Sequence, residues 1–273
     1  MRVLILGGTR EARDLAAILV GEPGLAVVTS LAGRVRDPAL PAGETVIGGF
    51  GGVAGLRAFL RDRAVDAVVD ATHPFAATMS AHAVAACLGP GGTRPGDARP
   101  GGPGEHQVPL LRLVRPGWAA RPGDDWHRVA DLDAAGARAR ELCPPGGAVF
   151  VTTGRRQLAP FAVDPDRRYL IRAVDPPTGT LPARHTLLLD RGPYTVDGET
   201  RLLRDHDIRV VVTKDSGGDL TAAKLDAART LGLPVVVIDR PAPPPGAPPS
   251  RPDVPAILAD LRGLPHKGAP DLP

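Results

Sequence analysis

The stretch Val3-Leu4-Ile5-Leu6-Gly7-Gly8-Thr9-Arg10-Glu11-Ala12 decides the fold. Its four apolar residues read as a short strand, its glycines as a tight turn, and Ala12, Leu15, Ala16 and Leu19 as the apolar stripe of the helix that follows. Such a turn is an anion cradle. Small residues let the backbone approach a ligand, and the helix start presents unpaired N–H groups and the positive end of its dipole. Thr9 stands where an N-cap belongs.

Compared with the dinucleotide pattern G-x-G-x-x-G/A, Gly7 fits the first position and Ala12 the last, while Thr9 replaces the middle glycine. A turn of this kind also occurs in α/β proteins that bind no nucleotide, so the second strand matters. Leu25-Ala26-Val27-Val28 runs into Thr29-Ser30-Leu31-Ala32-Gly33-Arg34. No carboxylate is there to take a ribose 2′-hydroxyl. A hydroxyl and a guanidinium are, and that pair suits a 2′-phosphate, which favours NADPH over NADH. The alternative for Arg34 is a solvated loop cation.

The chain has 273 residues, enough for two domains that each bury a core. It is 43% hydrophobic with only 3% aromatic residues, so its cores are built from aliphatic side chains, as buried parallel strands usually are. Its 33 basic and 30 acidic residues leave a net charge of +3 with the arginines scattered, which does not call for a nucleic-acid partner. Cys87 and Cys143 are too few for a disulfide framework and read as buried thiols. No HExxH or Cys/His cluster announces a metal, so none is expected. The opening apolar run is too short for a signal peptide or a membrane span, and a cytoplasmic protein is expected.

Apolar runs predict strands near residues 2–7, 25–30, 44–48, 65–70 and 109–114, then near 126–130, 147–152, 168–173, 186–190, 208–213 and 234–239. Helical patterns fall between them, including one from Phe75 to Ala86 and others near 131–142, 196–205 and 219–231. The expected class is α/β, with two parallel-sheet domains at 1–115 and 116–241. Residues 89–107 read as a flexible Gly/Pro insertion and 242–273 as a proline-rich tail with a short helix at Val254–Leu261.

In parallel sheets, ligands bind beyond the carboxyl ends of strands, so the loops there carry the function. The third strand leads to Gly48-Gly49-Phe50-Gly51-Gly52, where a flat ligand could lie on bare backbone with Phe50 as stacking partner. A flexible turn is the alternative. The fourth delivers Asp70-Ala71-Thr72-His73-Pro74-Phe75, with Pro74 suited to a first helical turn and Thr72 and His73 at its mouth. In the second half, strands end in Thr152-Thr153-Gly154-Arg155, in Asp190-Arg191-Gly192-Pro193 and in Thr213-Lys214-Asp215-Ser216-Gly217-Gly218. Lys224 follows in an early helical turn, where it opposes the dipole unless an anion is near. Together these cations predict a cationic cleft facing the nucleotide site.

In this order the blocks Gly7-Gly8-Thr9-x-Glu11-Ala12, Ser30-Leu31-Ala32-Gly33-Arg34, Gly48–Gly52, Asp70–Ala76, Thr152–Arg155, Arg191–Pro193 and Thr213–Gly218 resemble the precorrin-6A reductase family of cobalamin biosynthesis, over residues 1 to about 241. The resemblance implies two Rossmann-like domains with the ligand cleft between them. The implied activity is that of an oxidoreductase acting on a CH–CH group, with NADPH as cofactor and reduction of precorrin-6A to precorrin-6B; a related branch acts on the cobalt-bearing form. The implied cofactor contacts are Gly7, Gly8, Thr9, Glu11, Ser30, Arg34, Gly49, Phe50, Gly51, Gly52 and Thr72. Arg155, Arg191, Ser216, Gly217 and Lys224 are candidates for binding the polycarboxylate substrate. His73, Lys214 and Asp215 are the alternatives for a proton donor, as is solvent. A monomer without a nucleic-acid or membrane partner is expected. A short-chain dehydrogenase is disfavoured because Tyr-x-x-x-Lys is missing after both Tyr169 and Tyr194. A module that binds NADPH or another anion without turnover is the non-enzyme alternative.

Overall fold

A computed structural model describes residues 1–31, 40–89 and 107–265 of the chain. The first part contributes β1 (Arg2–Leu6), α1 (Arg10–Val20), β2 (Ala26–Leu31), β3 (Glu44–Ile47), α2 (Val53–Asp62), β4 (Ala67–Asp70), α3 (Ala77–Leu88) and β5 (Leu110–Leu113). There follow β6 (Trp126–Val129), α4 (Leu132–Leu142), β7 (Ala148–Val151), α5 (Ala159–Ala162), β8 (Arg168–Ala173), β9 (His185–Leu189), α6 (Val196–Asp205), β10 (Ile208–Lys214), α7 (Ala223–Leu231) and β11 (Val235–Ile238). The chain ends its described course with β12 (Ser250–Arg251) and α8 (Val254–Arg262). Two compact units result: Met1–Arg115 with the segment from Ala242 onward, and Pro116–Pro241.

The first unit holds a six-stranded, wholly parallel sheet in the order β12-β5-β4-β1-β2-β3. Numbered within the unit this is 3-2-1-4-5-6, the doubly wound Rossmann order, whose direction reverses between β1 and β4. The alternation of β1 explains the winding. Leu4 and Leu6 pack with Leu56, Leu60, Ala83 and Cys87 of α2 and α3 on one face. Val3 and Ile5 pack with Leu15, Leu19, Ile257 and Leu261 of α1 and α8 on the other.

The second unit repeats the plan in the order β6-β11-β10-β7-β8-β9, again all parallel, with its reversal between β7 and β10. Its outermost strand and the helix after it, β6 and α4, precede the other five strands. In the first unit the corresponding pair, β12 and α8, follows them. The segment after 241, expected as a tail, is therefore part of the first unit's sheet and core. Its two-residue strand pairs with β5, and Ile257 is fully buried.

Two further expectations are corrected. Pro74 lies in a turn, and α3 starts only at Ala77, because Ala76 and Phe75 hydrogen-bond back to His73. The helix expected at 219–231 divides into a 3-10 turn, Asp219–Thr221, and α7. Arg34 and residues 90–106 of the Gly/Pro stretch lie outside the described residues, as do 266–273.

Candidate active site

At the first reversal point, the exits of β1 and β4 lie side by side. Gly7 N–H donates to Ser30 O at 2.9 Å, and a Cβ on Gly7 would stand 2.9 Å from Thr29 Cγ2, so this turn lies too tightly on β2 for any larger residue. Gly8, exposed at φ +116°, has no atom within 4 Å of where a Cβ would be. Thr9 caps α1: its Oγ1 accepts from Ala12 N–H at 3.1 Å and donates to Ala71 O at 2.9 Å. One buried hydroxyl thus ties the glycine turn to the loop leaving β4. Helix geometry leaves the N–H groups of Arg10 and Glu11 for an anion.

Glu11, expected among the cofactor contacts, gives its carboxylate to Arg115 Nη1 at 2.7 Å. That ion pair offsets a negative charge that would otherwise repel phosphate at this helix start. Ser30 is buried behind the turn. In the loop after β3, Gly51 and Gly52 have φ +75° and +92° and open space around them. Phe50 does not present a free ring there. It packs edge-on against Phe59 at 5.0 Å and joins the α2–α3 core, which anchors the loop.

Asp70, buried at the end of β4, accepts from Thr72 Oγ1 at 2.7 Å and from Thr72 N–H at 3.2 Å. His73 Nδ1 accepts from Phe75 N–H at 3.2 Å, so a neutral ring carries its proton on Nε2. Beneath this loop, burial pushes the Cys87 thiol up to about 12, with the charge of Asp70 adding to it, which makes Cys87 an inert core residue.

The second reversal point brings together the exits of β7 and β10. Thr152 staples them, its N–H and Oγ1 donating to Val212 O at 2.9 and 3.1 Å. Arg155 lies 3.7 Å from the buried Asp175, linking the exits of β7 and β8. Lys214 is half-buried at the end of β10, and burial lowers its ammonium below the ordinary lysine value. Arg191 is exposed, and its backbone N–H is held by Asp190 Oδ1 at 2.8 Å.

Asp215, one of the alternatives for a proton donor, has its carboxylate already engaged. Only 4% exposed, it accepts from Trp118 N–H at 3.0 Å and from Arg128 Nη2 at 2.9 Å, while Arg240 donates to its backbone oxygen at 2.9 Å. Its carboxylate is a brace for the loop, with both oxygens engaged. Ser216 N–H turns back onto Lys214 O at 2.7 Å. Gly217, at φ +64°, has room for no side chain: a Cβ would lie 2.2 Å from Pro116 O. Gly218 O accepts from Trp118 Nε1 at 2.9 Å. Trp118, one of two tryptophans in the chain and set just after Pro116-Gly117, is the important residue that sequence reasoning missed; its rarity and flanking Pro-Gly were the available signal.

Lys224, expected among the cations that bind the substrate, is instead a buried residue. It is 3% exposed, donates to Thr221 O, and stands 4.8 Å from the centre of the Trp118 ring. Nearby, Arg172 forms a buried two-pronged pair with Glu199 at 2.5 and 2.8 Å and stacks 3.7 Å from the Tyr194 ring centre. These residues lock the loops that carry Arg191 and Lys214. Among the described residues no group of three His, Cys, Asp or Glu side chains could hold a metal, and no helix is long and apolar enough to cross a membrane.

Fold and site together define a two-unit Rossmann-type α/β protein with a glycine turn at a helix start in its first unit and strand-end cations in its second. The family model described as precorrin-6x reductase CbiJ/CobK matches residues 2–93 and 103–262, and the chain belongs to that family. The match skips 94–102, within the Gly/Pro stretch, and runs through α8, well past the 241 inferred from sequence. A precorrin-6A reductase of Rhodococcus erythropolis is 51% identical over 245 residues, covering 89% of this chain and 91% of its own. A cobalt-precorrin-6A reductase of Methanothermobacter thermautotrophicus is 29% identical over 256 residues, covering 88% and 77%. A solved CobK precorrin-6A reductase superposes with TM-score 0.81 at 43% identity, over 96% of each chain.

Burial pushes the Lys224 ammonium down to about 7, with Arg172 adding to this and Glu199 opposing it. In the unfolded chain the group titrates near its ordinary 10.5, so between about pH 7 and 10.5 the unfolded state binds more protons and stability rises with pH. Urea unfolding is expected to show Lys224→Met stabilising the protein more at pH 6 than at pH 10. A substitution effect independent of pH would contradict this.

Proposed function

We propose that the protein reduces a ring double bond of precorrin-6A with NADPH, giving precorrin-6B. The observation that carries this reading is the Thr9 linkage, which joins a glycine turn with an open helix start to the Thr72–His73 loop at one reversal point, in a chain 46–51% identical to proteins named precorrin-6A reductase.

The residues present fit the cofactor. Where a Cβ would stand at Gly8, Gly49, Gly51 and Gly52 there is open space, so a ligand can lie on the backbone. The turn at Gly7–Thr9 and the first N–H groups of α1 would hold the pyrophosphate, Ser30 and Arg34 the 2′-phosphate. Thr72 and the Gly49–Gly52 loop would lie beside the nicotinamide, which supplies a hydride when bound. Arg155, Arg191 and Lys214, with Ser216 and Gly217 shaping the loop, would engage substrate carboxylates through charge-assisted hydrogen bonds. Lys224, Glu11 and Phe50 act through the groups they hold rather than by contact. With Asp215 engaged as a brace, the proton comes from His73 Nε2, from Lys214 or from solvent.

Relatives at 46–51% identity are named for the cobalt-free substrate and those at 25–29% for the cobalt-bearing one, which favours the cobalt-free form. Purified protein given NADPH and enzymatically prepared precorrin-6A is expected to oxidise the nicotinamide and yield a product two hydrogens heavier, faster than with the cobalt form. Tight NADPH binding without oxidation would instead support a binding module. For the 2′-phosphate contact, Arg34→Ala is expected to weaken NADPH by about tenfold or more and leave NADH nearly unchanged in a fluorescence titration. Equal losses for both would remove that role from Arg34.

A further inference from the structure

The second unit has a cavity of about 300 Å³ at the amino-terminal edge of its sheet, the edge opposite the strand ends described above. Its floor is Ala148, Tyr169 and Leu170, and its walls carry Arg168, Arg184, His185, Thr186 and His206. Four basic side chains from three separate places, the starts of β8 and β9 and the end of α6, converge on one small space.

Little negative charge answers them. Arg168 reaches Asp207 at 3.4 Å, but Arg209 claims the same carboxylate at 2.7 Å. Arg184 bonds only to a backbone oxygen, Asp166 O at 2.9 Å, and has no carboxylate partner among the described residues. His185 Nδ1 donates to Pro182 O at 2.6 Å, which fixes the ring and leaves Nε2 as its free end. Thr186 adds a hydroxyl. Guanidiniums that retain unused donors, a fixed imidazole and a hydroxyl around a cleft of this size make an oxyanion receptor, and paired guanidiniums match phosphate geometry in particular.

We propose that this cavity binds a small phosphate-bearing anion, at a site separate from the reductase machinery. The floor and walls make such binding felt elsewhere in the unit. Three residues along β8 from Tyr169 stands Arg172, and about two helical turns back from His206 stands Glu199, the two halves of the buried pair that braces the loops of the opposite edge. A ligand held between the start of β8 and the end of α6 therefore stabilises both elements that carry this pair.

Pyrophosphate is the probe, titrated by calorimetry at constant ionic strength with NADP⁺ saturating so that the nucleotide turn is filled. The double variant Arg168→Gln/Arg184→Gln is expected to lose at least about tenfold in pyrophosphate affinity, with NADPH affinity and reductase kcat kept as evidence of an intact fold. Should the double variant misfold, NMR of the His185 and His206 rings in the wild-type chain reads the same site, and both are expected to shift during the titration. Pyrophosphate affinity unchanged in the folded double variant, or ring signals of His185 and His206 that do not move, would overturn the proposal.

Discussion

The Thr9 hydroxyl is the interaction on which the geometry of the first unit's glycine turn depends. It accepts from the third N–H of α1 and donates to the carbonyl of Ala71, so the helix start and the loop leaving β4 are held by one buried atom. A glycine at this place, as in the usual dinucleotide fingerprint, could supply neither bond. A buried hydrogen bond contributes only about 0.5–1.5 kcal/mol net, but leaving Ala71 O or Ala12 N–H unmet in this buried turn would cost about 1–3 kcal/mol each. The constraint is thus as much against losing the loop geometry as for binding a ligand.

The second unit achieves the same end with charge. Asp215 gathers Trp118, Arg128 and Arg240 around the loop after β10, and the Arg172–Glu199 pair with Lys224 and Tyr194 fills the space beneath it. Burying a lysine is costly, and this one keeps a carbonyl and an indole face as partners. The gain is order at the segments bearing Arg191 and Lys214, where substrate carboxylates would dock and where misplacement is expensive.

Much of this architecture was legible in the chain. Strands such as Val3–Leu6 and Val210–Val212 are apolar runs bounded by turn residues, and each helix with a clean stripe, α1 above all, announced its buried face. What stayed hidden was non-local. Nothing in Ser250-Arg251 says that two residues will extend a sheet begun at Arg2, and nothing local says that Asp215 will be claimed by Trp118, 97 residues away. Lys224 misled for a related reason: its place early in a helix suggested a cation aimed at an anion, and only packing of α7 against its neighbours makes it a buried residue bonded to Thr221 O. The backbone at Gly49, Gly51 and Gly52 is open, as the sequence suggests, whereas Phe50, offered as a stacking partner for the ligand, packs its ring on Phe59.

The task proposed for the two parallel sheets is hydride delivery to a carboxylate-rimmed macrocycle. Transfer of label tests it most directly. With NADPH deuterated at both C4 positions and precorrin-6A in ordinary water, mass spectrometry of the product is predicted to show one deuterium retained on a ring carbon. A product that carries no deuterium, or one that takes up both new hydrogens from solvent, would contradict it.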